Sequence, residues 1–170
     1  MCVLRDAHCT LTDSFGCSLS DHVRQVAEVN RGVWNQIERG VRDLAADPKY
    51  GEVYVCSGPV FAPERLPDGE VWVRYRVIGR NHVAVPTHFF KVALSLPSNP
   101  GHLDSDGSGG GDGGPMLLSA WLVPNKAEAG RAPPASFLVP VEVIERLVGF
   151  RFYPHIPRAA AMTVLPPPRQ

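Results

Sequence analysis

Residues 29–44, VNRGVWNQIERGVRDL, constrain the fold most, because their aliphatic residues recur at helical spacing. At about 100° per residue, five such side chains and the nearby Val26 fall on one face; the five are Val29, Val33, Ile37, Val41 and Leu44. Burying them would stabilise the fold by on the order of 10 kcal/mol gross, but only against a sheet. The pattern predicts an amphipathic helix over about 30–46 that ends before Pro48 and packs on a sheet.

A polar pair accompanies this apolar face. Asn30, Trp34 and Glu38 recur every fourth residue, so Trp34 falls about 40° and Glu38 about 80° from Asn30, at the rim of the buried face. Amide and carboxylate oxygens suit Mg²⁺, which takes few protein ligands and keeps most of its waters. The stripe therefore predicts a magnesium site. Two alternatives stay open, since Asn30 could cap the helix and Glu38 could pair with Arg42, while Trp34 is a core residue in either reading.

Short runs rich in β-branched and aromatic residues predict strands of one sheet. They are 53–56, 71–78, 88–96 and 116–123. The run 71–78 alternates in a way that predicts one buried and one exposed face. A second helix is predicted from Pro140 to Val148, with Gly149 as its stop, followed by a short strand at Phe150 and Phe152.

The remaining segments predict the domain organisation. Residues 1–17 are polar and aperiodic, which indicates a poorly ordered N-terminal segment. One domain covers 18–157 and contains a flexible Gly-rich insert at 97–115 that joins two strands. Residues 158–170 form a mobile tail.

The charge balance limits how the chain meets a polyanion. Seventeen Lys and Arg residues match seventeen Asp and Glu residues, so a nucleic acid would need a local basic patch. Arginines on the helix and after it are the candidates: Arg31, Arg39, Arg42, Arg74, Arg76 and Arg80. The alternative for all of them is a solvated surface.

Several kinds of site and segment are not indicated. The four cysteines lack Cys-x-x-Cys spacing, so neither a zinc site nor a redox motif is predicted. His82 and His88 flank a Val-Ala-Val-Pro turn and are interpreted as structural residues rather than as a second metal site. No targeting segment is visible, and no apolar run approaches the length that spans a membrane.

Several stretches together resemble the endonuclease G-like members of the DNA/RNA non-specific endonucleases, of the ββα-metal type. The similarity covers nearly everything after Ser18 except the Gly-rich insert, in order and in register. The matching stretches are LS at 19–20, NRGVWNQIE at 30–38, VYVCSGPVF at 53–61, YRVIGRNHVAVPTHFFKV at 75–92, VPN at 123–125 and FLVPVEVIE at 137–145.

This resemblance implies an α+β fold with a mixed or antiparallel sheet and packed helices, and Mg²⁺-dependent hydrolysis of phosphodiesters in DNA and RNA. One metal is held by an asparagine, matched here by Asn30, while Glu38 matches a carboxylate that organises the metal's waters. A histidine in an Asp-Arg-Gly-His motif acts as general base. The resemblance also implies a homodimer and a mitochondrial location.

The sequence departs from the family at the base. It contains no Asp-Arg-Gly-His motif, and its nearest imitation, Arg-Asp-Ala-His at 5–8, puts His8 only 22 residues before Asn30. Asp21 stands where the family carries a second asparagine. The general-base histidine is thus expected to be absent, as in an N-terminally truncated form, and losing a general base lowers a rate by about 10² to 10⁴.

Two functions remain open. The first is a metal-dependent endonuclease that is impaired by the missing histidine. The second is a non-catalytic fragment that binds nucleic acid or a partner, using Asn30 and the basic side chains of Arg31, Arg39 and Arg42.

Overall fold

The computed structural model describes residues 2–5, 8–10, 24–98 and 116–156. The expectations for the tail 158–170, for most of the insert 97–115 and for Asp21 fall outside these residues. Within them, no helix is both long and apolar enough to cross a bilayer.

A five-stranded antiparallel sheet forms the middle of the molecule. Its strands are β1 (Cys2–Arg5), β2 (His8–Thr10), β3 (Tyr50–Val60), β8 (His88–Pro97) and β9 (Leu117–Pro124), while four shorter strands between β3 and β8 lie outside this sheet. The five strands lie in the order β2-β1-β3-β8-β9. The predicted strands 53–56, 88–96 and 116–123 are therefore confirmed as neighbours in one sheet.

Helix α1 covers one face of the sheet. It runs through three segments, Ala27–Val29, Asn30–Trp34 and Asn35–Ala45. Its apolar face packs on side chains that alternate along the strands, such as Val53, Phe89 and Trp121. The predicted amphipathic helix is confirmed, and it begins three residues earlier than expected.

Helix α2 (Val141–Val148) covers the other face. Val141 and Ile144 pack against the alternate positions of the same strands, including Phe90 and Val92. Gly149 ends the helix with φ of 80°, a left-handed conformation that glycine adopts readily. The molecule therefore has three layers, helix, sheet and helix, which confirms the α+β prediction.

Residues 61–85 leave the sheet and form two separate ribbons. One pairs β4 (Glu64–Arg65) with β5 (Val71–Trp72), and the other pairs β6 (Arg76–Ile78) with β7 (Val83–Val85). The prediction of one half-buried strand over 71–78 was wrong. Five of its six apolar residues are between 45% and 56% exposed, namely Val71, Trp72, Val73, Tyr75 and Val77.

Two smaller predictions also fail. The N-terminal segment, expected to be poorly ordered, provides strands β1 and β2, and β1 pairs with β3. Residues 150–152 form no strand, because Phe152 turns inward to pack on Phe90 in the α2 layer. A short aromatic run resembles a strand locally whether or not a sheet edge is available to pair with it.

Candidate metal site

A kink in helix α1 sets the position of Asn30. Residues Asn30–Trp34 are π-helical, and Gly32 departs from helical geometry with φ of −95° and ψ of −113°. A Cβ atom on Gly32 would collide with the carbonyl oxygen of Gly130, and one on Gly130 would collide with the carbonyl oxygen of Glu28. The two glycines thus let a 3₁₀ turn, Ala127–Arg131, cross α1 at backbone contact. π-Helical turns of this kind are frequent at functional sites.

Asn30 lies inside the helix and is exposed. Its backbone N–H donates to the Val26 carbonyl at 3.0 Å and its φ and ψ are helical, so the alternative that it caps the helix was wrong. Its Nδ2 donates to Gln25 Oε1 at 2.8 Å. That bond uses the amide nitrogen and leaves Oδ1, the atom that would bind a metal, available.

Trp34 and Glu38 follow the kink, so the regular stripe expected from the sequence is interrupted between Asn30 and Trp34. Trp34 is buried and meets Phe89 edge-on at 5.9 Å between ring centroids, as expected of a core residue. The Glu38 side chain is 37% exposed, and its Oε1 lies 3.7 Å from the Nζ of Lys91. The ion pair of Glu38 is thus with the sheet rather than with Arg42.

Lys91 is a site neighbour that sequence reasoning missed. It lies in the middle of β8 with only 8% of its side chain exposed. Its Nζ donates to Ser57 Oγ at 2.9 Å and sits 4.6 Å from the centre of the Trp34 ring. The available signal was a lysine inside the apolar run FFKVAL, where a charge needs partners.

Asn125 fixes the start of α1 relative to the strands. Its Oδ1 accepts from the Val26 N–H at 2.8 Å, and its Nδ2 donates to the carbonyls of Arg24 at 3.1 Å and Pro86 at 3.0 Å. Its backbone N–H donates to the Thr87 carbonyl at 2.8 Å. One amide therefore ties the end of β9 to the first turn of α1, a role that no local pattern indicates.

The arginine candidates of α1 and His82 lie at the surface of the protein. Arg31, Arg39 and Arg42 are exposed along α1, and Arg39 Nε donates to Asn35 Oδ1 at 3.2 Å. His82 is exposed in a turn with φ of 50°.

His88 is half-buried, as a structural residue would be. Its Nδ1 lies 3.0 Å from Thr87 Oγ1, and burial, with Lys126 nearby, holds its pKa below the ordinary value. By strand alternation it faces away from α1, like Phe90. The side chain of His8 falls outside the described residues.

The donor set at α1 fits a hard cation that keeps its waters. In the described ranges, no cluster of three or more His, Cys, Asp or Glu side chains could form a full cage. An exposed amide oxygen and a half-exposed carboxylate on one helix are the ligand types that Mg²⁺ accepts, with water completing its octahedron. Asn30 would bind the ion directly, and Glu38 would contact its waters.

Comparison with known proteins identifies the family of the chain. The family model for the DNA/RNA non-specific endonucleases matches residues 13–159. The chain belongs to this family.

Curated relatives carry mitochondrial nuclease names. Human mitochondrial endonuclease G is 41% identical over 138 residues, which covers 81% of this chain and 41% of that protein. The human mitochondrial nuclease EXOG is 35% identical over 142 residues, and mitochondrial nuclease 1 of Schizosaccharomyces pombe is 38% identical over 142 residues. The chain thus spans about two fifths of the length of these relatives, between 35% and 41%.

A solved structure shows the same fold. The crystal structure of the EndoG/EndoGI complex matches 80% of this chain and 49% of that chain, with a TM-score of 0.62 and 36% sequence identity. At this identity and coverage, the ββα-metal nuclease architecture expected from the sequence is confirmed.

Proposed function

We propose that this chain supplies the metal-holding part of a Mg²⁺-dependent endonuclease site that acts on phosphodiester bonds of DNA and RNA. The observation that carries the proposal is the exposed Asn30 side chain on the kinked helix, with its Oδ1 not consumed by the bond to Gln25. Family membership and the relatives' names support the reaction class.

Each residue has a separate task in this proposal. Asn30 Oδ1 binds the metal, which when bound stabilises the negative charge that develops on the phosphate. Glu38 accepts hydrogen bonds from the metal's waters and orients them. The exposed Arg31, Arg39 and Arg42 contact phosphate groups along the substrate.

The proton-removing histidine is outside this set. Because residues 1–170 contain no Asp-Arg-Gly-His motif, we expect these residues by themselves to cleave about 10² to 10⁴ times more slowly than a site with a general base. Metal binding, rather than cleavage, is therefore the sharper test.

The test uses Mn²⁺ as a spectroscopic substitute for Mg²⁺. Electron paramagnetic resonance should show that the purified chain binds one Mn²⁺, that Mg²⁺ displaces it, and that Asn30→Ala lowers its affinity at least about tenfold. Asn35→Ala, on the same helix, is the matched control and should bind like the unchanged chain. Equal affinities for the unchanged chain and Asn30→Ala would refute the site, and fast Mg²⁺-dependent nicking of plasmid would refute the expected impairment.

A second candidate is nucleic-acid binding without cleavage, which the exposure of Arg31, Arg39 and Arg42 favours. In gel shifts with DNA and RNA, replacing all three by Ala should weaken binding and make it less dependent on salt, by about one unit of slope for each lost phosphate contact. Arg146→Ala, on the opposite layer, is the control. Binding that is absent even at low salt would eliminate this candidate.

We also propose that the chain forms a homodimer and acts in mitochondria. The exposed apolar side chains of the ribbons, such as the consecutive Val71, Trp72 and Val73, support association, because contiguous exposed apolar patches mark interaction surfaces. Light scattering should give the mass of a dimer, and Trp72→Glu should give a monomer. A monomeric mass for the unchanged chain would eliminate the dimer.

A further inference from the structure

Lys91 stands out because it is a charge inside an apolar layer. Its neighbours on the α1 face of β8 are Phe89 and Ala93, both buried. Placing an ammonium group there is costly unless it is paired and hydrogen-bonded. A residue that only filled space at this position would be aliphatic, so the charge needs a reason beyond packing.

Lys91 has partners on the neighbouring strand of the sheet and on helix α1. Ser57 lies directly across the β3–β8 ladder and accepts its hydrogen bond at 2.9 Å. The Trp34 ring lies 4.6 Å below Nζ, and Glu38 Oε1 lies 3.7 Å away. Trp34 and Glu38 both belong to the part of α1 that follows the kink at Gly32.

The distances show that Lys91 is held by Ser57 and Trp34 and that its contact with Glu38 is looser. The short bond to Ser57 and the contact with Trp34 hold the ammonium in place. At 3.7 Å, the contact to Glu38 is longer than a charge-assisted hydrogen bond of about 2.7–2.9 Å. Lys91 therefore attracts and orients the carboxylate while Glu38, still 37% exposed, keeps lone pairs for water.

Two clamps hold α1 on either side of its kink. Asn125 fixes the first turn, next to Asn30, and Lys91 fixes the part that carries Glu38. Between the two halves, the π-helical turn with its non-helical Gly32 breaks the regular α-helical geometry that would otherwise fix one half relative to the other. Each half therefore needs its own connection to the sheet if Asn30 and Glu38 are to keep their relative position.

We propose that Lys91 is a positioning residue for Glu38: anchored by Ser57 and Trp34, its ammonium holds the Glu38 carboxylate in the orientation that meets the waters of a metal bound at Asn30. This inference rests on the proposed function for its consequence, and on the geometry of the described residues for the contact itself.

A double-mutant cycle tests the proposal. Mn²⁺ affinity is measured for the unchanged chain, Glu38→Gln, Lys91→Met and the double variant, with Lys49→Met, an exposed lysine elsewhere, as control. Lys91→Met should lower the affinity, but by less than the roughly 10- to 100-fold loss that is typical of removing an outer-shell residue such as Glu38. It should have little further effect in the Glu38→Gln background, because residues that act through one another are not additive.

Additive losses in the cycle would overturn the proposal, and so would a Lys91→Met chain that melts earlier but binds Mn²⁺ normally. Lys91→Arg, which keeps the charge, should recover most of the affinity. Ser57→Ala keeps Lys91 and loosens its anchor, so it should show a smaller loss with the same dependence on Glu38. If Lys91→Met does not fold, the Ser57→Ala variant decides whether Lys91 positions Glu38.

A second measurement does not need metal. With ¹³C-labelled glutamate, NMR relaxation should show a more mobile Glu38 side chain in Lys91→Met and in Ser57→Ala, but not in Lys49→Met. Unchanged mobility would overturn the proposal. If the unchanged chain binds no Mn²⁺, the proposed function fails, and this NMR comparison alone decides whether Lys91 positions Glu38.

Discussion

The two faces of the central sheet differ in what they bury. Within the described residues, the buried polar or charged side chains are Lys91, Ser95 and Ser119, and strand alternation puts all three on the α1 face. The α2 face buries apolar side chains such as Phe90, Val92 and Ile144. The same strands thus carry the candidate site on one face and apolar packing on the other. The α1 face is less stabilising, because its polar groups lose their hydration when they are buried.

The largest effect on stability should come from the α2 face of the sheet. Ile144 is fully buried under α2, so Ile144→Ala should lower the free energy of unfolding by about 2–5 kcal/mol through lost transfer energy and a residual cavity. Urea unfolding measures this, with the exposed Glu142→Ala as control. If Ile144→Ala also lowered Mn²⁺ affinity in the folded protein, the separation of the two faces would be wrong.

The next effect should come from the amide that joins α1 to the strands. Asn125→Ala removes three side-chain hydrogen bonds and leaves partly buried backbone groups unpaired, so it should cost about 1–3 kcal/mol in unfolding free energy. Because it releases the turn before Asn30, it should also lower Mn²⁺ affinity. A loss of stability with unchanged affinity would show that the position of Asn30 does not depend on this clamp.

A pair of serines sharpens the comparison within the α1 face. Ser95 Oγ is buried with no hydrogen-bond partner, whereas Ser119 has a partner. Ser95→Ala should therefore leave stability unchanged or raise it by about 1 kcal/mol, while Ser119→Ala should lower it by about 1 kcal/mol. Thermal and urea unfolding of both variants measure the sign. Equal losses would show that Ser95 finds a partner, such as water.

The smallest effect is a pH dependence of stability that comes from His88, on the α2 face of the sheet. Burial and Lys126 hold the pKa of His88 below its ordinary value of 6.5. The unfolded chain therefore takes up a proton before the folded chain does. The stability that neutral His88 contributes is complete above about pH 6.5 and falls as pH decreases toward its folded pKa. Relative to His88→Gln, the unchanged chain should lose melting temperature between pH 7.5 and 5.5, and a constant difference would contradict this.

Local sequence patterns predicted which helices and strands form better than they predicted what each element packs against or pairs with. The helical spacing of residues 29–44 was sufficient for α1, because burying a continuous apolar face leaves few alternatives. The alternation over 71–78 was equally clear and was misread, since alternation does not say which strand pairs with it or whether its apolar side is covered. The candidate site shows the same limit. Asn30 and Glu38 were visible as residue types at a spacing, but the kink between them depends on Gly130, about a hundred residues away.

The sequence by itself determined the amphipathic helix, the main strands, the stop at Gly149 and membership of a nuclease family, because these depend on periodicity, on local backbone preference and on motifs in order. Only the tertiary structure decided that Asn30 is an exposed residue inside a π-helical turn, that Lys91 faces Glu38 at 3.7 Å, and that Asn125 ties β9 to α1. These contacts join residues that are far apart in the chain. They form only where the sheet brings β3, β8 and β9 under one helix, which no local pattern specifies.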